Sequence, residues 1–262
     1  VVVVDVPLDI SFQEDKPQLR MESLISAFRT VSQQVPRAAL ILVETTVPPG
    51  VCERVLLPIL EEDLAARGME PHSVRLAHSY ERVMPGKQYL DSITHFWRVY
   101  AGADATAADA CEAFLSSIID IEKFPLTRLA SMTASETAKL MENTYRAANI
   151  AFVDEWTKYA ESVGIDLYEV IDAIRVRPTH SNIRSPGLGV GGYCLTKDPA
   201  FAPASARELF DRADLDFPFS DLTLKVNQAM PIHCAQRLQA LLGGACKDKN
   251  ILILGVSYRQ DV

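Results

Sequence analysis

Along the first 125 residues, apolar positions come in short unbroken runs separated by longer stretches of helical periodicity. VVVVDVPL (1–8), AALILVET (38–45) and SVRLAHS (73–79) read as strands. A strand inside a parallel sheet is covered on both faces and needs no polar alternation. FWRVYAG, ending at Gly102, predicts a fourth strand, and IDIEKF (119–124) a short fifth. A polar loop follows the first run, and amphipathic stretches then predict helices over 19–34, from the VPPG break (47–50) to about residue 67, and over 105–117. Strands alternating with helices predict a doubly wound parallel α/β sheet.

After residue 125 the pattern changes. Residues 131–163 predict one long helix stopped at Gly164, followed by helices over 166–176, 199–211 and 218–242. NILILGVSY (250–258) again reads as a buried strand ending at glycine, the way a new α/β unit opens. These shifts divide the chain into 1–125, an all-helical 126–245, and 246–262. Both ends of the pattern are open. A sheet of this kind is expected to begin with a glycine-rich phosphate-binding βαβ unit, and the last strand needs neighbours. The sequence therefore reads as the middle of a longer enzyme.

Composition narrows the function classes. With 48% hydrophobic and 23% charged residues among 262, the chain has the means to bury a sizeable core. No apolar run reaches the length of a membrane helix. A formal net charge of −8 argues against a general nucleic-acid binder, while leaving room for a small anion on a local basic patch. The five cysteines (Cys52, Cys111, Cys194, Cys234, Cys246) are odd in number and widely spaced, with no C-x-x-C or H-E-x-x-H pattern. That spacing implies a reducing compartment, by default the cytoplasm, and neither a disulfide framework nor a metal site.

Five stretches carry candidate chemistry. GLGVGGYCLTKD (187–198) has the glycine density of a dinucleotide turn. Its lead-in is polar and broken by proline, though, whereas that turn needs a buried strand before it and a helix after it. Cys194 then has two readings: a small buried hydrophobe, or a nucleophile whose thiolate is favoured by nearby Lys197. In AKLMENTYR (138–146), Lys139 and Asn143 share a helix face, suited either to solvent or to holding a substrate oxyanion. VETTVPPG (43–50) places Thr46 at the carboxyl end of a strand, where ligands bind in open α/β sheets. HSYERVMPG (78–86) places Glu81 and Arg82 similarly, as a surface ion pair or as a general base with its neighbour. Finally Arg175, Arg177, His180 and Arg184 form a basic cluster with no acidic residue between the first and last, either solvated or suited to a pyrophosphate.

In this order, ETTVPPG, SYERVMPG, AKLMENTYRAANIAF, PGLGVGGYCLTKDP, VNQAM (226–230) and ILGVSYRQDV (253–262) resemble the UDP-glucose/GDP-mannose dehydrogenase family of nucleotide-sugar 6-dehydrogenases. The resemblance implies that residues 1–125 are the later part of a Rossmann-like NAD-binding domain. It makes 126–245 a helical central and dimerisation domain, and 246–262 the start of a UDP-binding domain. Carried over by position, it implies Cys194 as nucleophile and Lys139 with Asn143 on the sugar's reacting oxygen. Asp198 would assist proton transfer with Thr46 and a water, and Glu81 would act as general base or order the substrate. Substrate contacts are implied for Asn182, Gly191, Arg177, Arg184 and Arg82, and NAD contacts for Thr46, Glu81 and Lys197. The implied reaction is a four-electron oxidation at C6 to a uronate, serving polysaccharide synthesis, in a homodimer joined along 131–163.

The chain departs from the family pattern at Tyr80, where proline is usual, and at Arg259-Gln260, where Lys-Pro is usual. GYCLTKD leans towards UDP-glucose enzymes; ERVMPG and Asn182-Ile183 lean towards those acting on UDP-N-acetylhexosamines. Two rivals stand beside this reading. A β-hydroxyacid or 6-phosphogluconate-type dehydrogenase also uses a Lys/Asn pair but needs no cysteine. The other is a non-catalytic dimeric core.

Overall fold

A computed structural model describes residues 1–14, 16–83 and 86–254, which form two compact units. The first comprises Val1–Met141 and Ala200–Asp216; the second comprises Glu142–Pro199 and the described residues from Phe217 onward.

The first unit is built on a five-stranded sheet, β1 (Val2–Val4), β4 (Leu40–Val43), β5 (Arg75–His78), β6 (Val99–Gly102) and β7 (Thr127–Arg128), in that order. Neighbours are parallel except β5 and β6, where Ala77 faces Gly102 in antiparallel register. β4 is buried at all four residues, as its unbroken apolar run requires. β1 is shorter than VVVVDVPL suggests, and its Val3 is exposed. Helices α1 (Glu22–Ser32), α2 (Leu57–Ala66) and α4 (Ala105–Ser116) alternate with the strands. Phe28 of α1 and Leu60 and Leu64 of α2 join Ile41 and Val43 in one apolar core; Cys111 and Leu115 of α4 join Leu42 and Tyr100 in another.

Two local expectations are corrected, and one further element is present. The loop after β1 is an antiparallel hairpin, β2 (Asp9–Gln13) with β3 (Lys16–Arg20), pairing Ile10 with Leu19. Its strands are short and only half covered, so they leave no continuous apolar run. IDIEKF is a turn in which Lys123 and Phe124 donate to the Asp120 carbonyl, and β7 instead forms just beyond it. A short helix, α3 (Tyr89–Thr94), also precedes β6.

The VPPG break does more than end β4. Gly50 adopts φ +89, in the left-handed region open to glycine. A π-helical turn (Cys52–Leu56) then leads into α2. Its first amides are claimed from the long helix α5 (Met132–Val163): Gly50 N donates to Glu136 Oε2 at 2.5 Å and Cys52 N to Oε1 at 2.7 Å. In return Glu53 accepts from Thr133 Oγ1 at 2.7 Å and from Thr133 N at 3.2 Å, at the start of α5. Each helix start thus supplies the other's missing acceptor. α7 (Phe201–Leu209) belongs to this unit, its Ser205 Oγ donating to the Pro49 carbonyl at 2.5 Å.

In the second unit, α5 continues past Glu142 and is joined by α6 (Leu167–Arg175) and α8 (Pro218–Leu241). The helices match the expected positions, including the stop at Gly164, which has φ +76. Residues 251–254 form no strand and are open to solvent, Leu252 being 82% and Leu254 85% exposed. An interior strand needs partners on both edges, and none pairs with them among the described residues. Residues 255–262, including Arg259 and Gln260, lie outside the described residues.

Burial pushes the Glu136 carboxyl up from 4.5 to about 8, against the two amide donors that pull it down. The folded chain therefore keeps a proton that the unfolded chain releases, so stability falls as pH rises from about 4.5 to about 8. Glu136→Gln cannot titrate and should gain on the wild type across that window in urea unfolding. A gap between the two that is the same at pH 5 and at pH 8 would show the carboxyl ionising at its ordinary value.

Candidate active site

In the first unit the site residues gather where β4 and β5 end. Thr45 is buried, its hydroxyl accepting from Val6 N at 2.7 Å. Thr46 is half-buried, and its hydroxyl makes no hydrogen bond among the described residues. Glu44 accepts from the buried Arg98, whose guanidinium also reaches Ser79 Oγ and O, each at 3.5 Å. Burial raises the Glu44 carboxyl from its ordinary value, and Arg98 opposes this.

Beyond β5 the segment His78–Arg82 runs beneath α5. His78 is fully buried with Nδ1 2.9 Å from Ser135 Oγ, and desolvation lowers its pKa to about 3, so the ring stays neutral. One turn along α5, buried Lys139 donates to the Glu81 carbonyl at 2.9 Å and pairs with Glu81 Oε1 at 3.4 Å. The pairing expected for Glu81 is thus made across to Lys139. Arg82 donates to the Trp97 carbonyl and, at 3.1 Å, to Tyr80 Oη. Tyr80 is completely buried, with the Lys139 ammonium 5.4 Å and the Arg82 guanidinium 5.3 Å from its ring centre. The family-atypical tyrosine therefore serves as a platform for two cations.

In the second unit Asn143, Lys197 and Asp198 come together. Asp198 is fully buried and accepts from Asn143 Nδ2 at 2.7 Å and from Lys197 Nζ at 3.0 Å. Lys197 also lies 4.3 Å from the Tyr193 ring centre. Cys194 is exposed, whereas Cys52 and Cys111 are buried with their thiols pushed up, chiefly by desolvation. This removes the reading of Cys194 as a buried hydrophobe. Cys246 is exposed as well, just ahead of a turn. The Cys194 carbonyl accepts from Asp198 N at 2.9 Å and Lys197 N at 3.1 Å, tying the thiol's backbone to the Asp198 group.

Upstream, Asn182 Nδ2 donates to Tyr145 Oη at 2.5 Å and its carbonyl accepts from Asn149. Arg184 N donates to Asn149 Oδ1 at 3.0 Å. Gly191, Arg177 and the Arg184 side chain are exposed. Arg175 is not an anion-binding fork, because its guanidinium is spent on the Ile183 carbonyl and on Ser185 Oγ, each at 2.8 Å. Among the described residues no group of three or more His, Cys, Asp or Glu is placed to hold a metal, and no helix is long and apolar enough to cross a membrane.

The sequence reading missed Glu136, His78 and Ser135: Ser135 and Glu136 sit in the polar stretch TASETAK, and His78 ends the strand segment RLAH. It also missed Asn227, quoted within VNQAM, which grips the glycine-rich loop.

A mostly parallel α/β sheet leading into a long helix, with a lysine, an asparagine and an exposed cysteine, has a family counterpart. Residues 1–118 match the NAD binding domain, and residues 133–229 the central domain, of the UDP-glucose/GDP-mannose dehydrogenase family. The chain belongs to that family. It is 33% identical to a UDP-N-acetyl-D-mannosamine dehydrogenase of Pyrococcus horikoshii, over 99% of this chain and 57% of the relative. It is 28% identical to an NDP-N-acetyl-D-galactosaminuronic acid dehydrogenase of Ralstonia nicotianae, over 95% of this chain and 56% of the relative. The solved UDP-D-ManNAc dehydrogenase from Pyrococcus horikoshii superposes with TM-score 0.77 at 30% identity, covering 92% of this chain and 53% of that one. A Staphylococcus aureus UDP-N-acetyl-mannosamine dehydrogenase, at 23% identity and TM-score 0.80 over 99% of this chain and 57% of its own, shows the same fold. The chain thus spans a little over half the length of the relatives it matches.

Tyr80 offers a direct check on this arrangement. Tyr80→Phe removes only a hydroxyl bound to an arginine that keeps a second acceptor, and should cost about 1 kcal/mol in urea unfolding. Tyr80→Ala also empties a buried ring site and should cost about 3–5 kcal/mol. Equal losses for the two would mean that the hydroxyl, not the ring, supports the cations.

Proposed function

We propose that this chain forms the NAD-binding and central parts of an NAD-dependent nucleotide-sugar 6-dehydrogenase, which oxidises the C6 alcohol of a UDP-N-acetylhexosamine to the uronate. The observation that carries this reading is the exposed Cys194 on a backbone tied to a buried aspartate. A hydroxyacid-type dehydrogenase has no use for such a thiol. The names of the relatives support the N-acetylhexosamine.

The residues present fit NAD. The carboxyl ends of parallel strands β1 and β4 are where a dinucleotide lies in such sheets, and Thr46 carries a half-buried hydroxyl there with no partner among the described residues. Thr46, Glu81 and Lys197 are the proposed contacts. NAD⁺ would supply the hydride acceptor, one molecule for each of the two oxidations, the first leaving as NADH before the second binds.

The chain's own residues do the rest. Asp198, with Thr46 and a water, assists the departure of the C6 hydroxyl proton as that carbon is first oxidised to the aldehyde. The Cys194 thiolate then adds to the aldehyde carbon, forming a C–S bond and a thiohemiacetal oxyanion. Lys139 and Asn143 hold that oxyanion. Lys139 has three N–H groups and spends two on Glu81, while Asn143 spends one of its two on Asp198. The second oxidation leaves a thioester on Cys194. Water attacks its carbonyl, with Glu81 available as base, and the C–S bond breaks to return the thiolate. Asn182, Gly191, Arg177, Arg184 and Arg82 are the proposed sugar-nucleotide contacts. By the same resemblance residues 1–125, 126–245 and 246–262 are the NAD-binding part, the central domain and the opening of a UDP-binding domain, acting in the cytoplasm in surface polysaccharide synthesis.

We assign homodimerisation to α5. Ala147, Ala151, Val153 and Ala160 are buried, while Tyr145, Phe152, Trp156 and Tyr159 stand about half exposed, and Trp156 meets Tyr159 edge-on at 5.6 Å. Aromatic rows left in water at helical spacing suit a second copy of the helix.

Two equivalents of NADH per UDP-N-acetylhexosamine consumed are expected, and Cys194→Ala should yield no uronate. One equivalent, or normal uronate from that variant, would remove the thiol from the mechanism. For the assembly, sedimentation should show a dimer at micromolar concentration that Trp156→Glu converts to monomer; a dimer unaffected by that change would place the seam elsewhere.

A further inference from the structure

The glycine-rich loop is fixed at its downstream end by Asp198, but its upstream end is fixed by a residue to which the proposed chemistry gives no part. Asn227 of α8 grips Val190 with both ends of its amide: Oδ1 accepts from Val190 N at 2.7 Å, and Nδ2 donates to Val190 O at 2.9 Å. One side chain thereby satisfies both backbone groups of a residue that no strand pairs. An amide is the side-chain group that can do this. Aspartate cannot donate, and leucine, of nearly the same shape, can do neither.

The neighbouring glycine is required by the same contact. Gly189 has φ +93, and a Cβ there would lie 2.8 Å from Asn227 Oδ1 and 3.0 Å from Cβ of the buried Met230. α8 therefore presses against the loop backbone so closely that only glycine fits before the gripped valine. Gly191, Gly192 and Tyr193 are exposed between the two anchors, and Cys194 follows them. Within this stretch Thr196 Oγ1 donates to the Gly192 carbonyl at 2.9 Å, so the short span is folded back on itself.

We infer that Asn227 is a positioning residue for Cys194: its amide clamps Val190 and so fixes where the loop presents the thiol. The inference rests on the proposed role of Cys194. It explains why a glycine-dense stretch, which alone would be a floppy carrier for a nucleophile, follows a definite path. It also gives VNQAM a physical task, since its asparagine and methionine both face Gly189.

The test is hydrogen–deuterium exchange on the purified protein carrying Asn227→Leu, read by peptide. The expected result is exchange at least tenfold faster in peptides covering 187–197, with peptides from α2 and α4 unchanged. Asn227→Asp should behave alike, because its carboxylate faces the Val190 carbonyl. Unchanged exchange at 187–197, or exchange raised evenly through the chain, would overturn the clamp. In turnover, kcat should fall at least tenfold while the midpoint of thermal unfolding stays within a few degrees. Localised faster exchange with undiminished kcat would overturn the positioning role and leave the proposed reaction standing. Full turnover by both Asn227→Leu and Cys194→Ala would instead overturn the reaction, with the exchange result still deciding the clamp.

Discussion

The first unit depends on a single buried carboxyl, that of Glu136. Two backbone amides at the entry to a helical segment have no acceptor of their own, and this side chain meets both. Once the first turns of α5 are docked in this way, helix periodicity does the remaining positioning. Ser135 falls beside His78, and Lys139, one turn on, falls beside Glu81. The ends of two strands are thus furnished with a hydroxyl and an ammonium by one rigid element. Burying the carboxyl opposes its ionisation, and that cost is spread through a core that also holds Leu140 and Phe201.

The second unit is organised around another buried acid. Asp198 keeps its oxygens satisfied by one amide and one ammonium, so its charge is balanced within the unit. A buried pair of this kind adds little net stability compared with an apolar replacement of similar shape. Its effect is to allow one arrangement of the chain around residues 194–198, because a shift in register would strand the charge. Specificity of path matters most beside Cys194, the proposed nucleophile.

Long elements were legible in the sequence because their periodicity is sustained. The 32-residue α5 and its stop at Gly164 are the clearest case, and β4, an apolar run walled in on both faces, is another. The β2/β3 hairpin was hidden, since five-residue strands with one covered face carry a weak pattern. IDIEKF misled in the opposite sense: Ile119 is buried and Phe124 partly covered, but Ile121 is exposed and Asp120 collects the amides into a turn. Of the candidate residues, Lys139, Asn143 and Cys194 could be singled out from type and spacing, and Asp198 only from the resemblance. Their partners could not. Nothing in one sequence pairs Asn227 with Val190, 37 residues away, or Glu136 with Gly50, 86 away. Such contacts are decided by which element lies against which, after the elements have formed.

The reversal of β6, which β7 shares, has an effect of its own on the chemistry at the sheet edge. Because β6 runs against β5, the residue entering β6 arrives where β4 and β5 leave the sheet. That residue is Arg98, and it meets Glu44 and Ser79 there. Had β6 kept the common direction, the same arginine would have been delivered to the far rim, and Glu44 would face the edge with no counter-ion from this strand. The direction of a four-residue strand thus decides the charge of the edge from which Thr46 projects, and turning a strand round serves as a way of moving a cation across a sheet without moving it in the sequence.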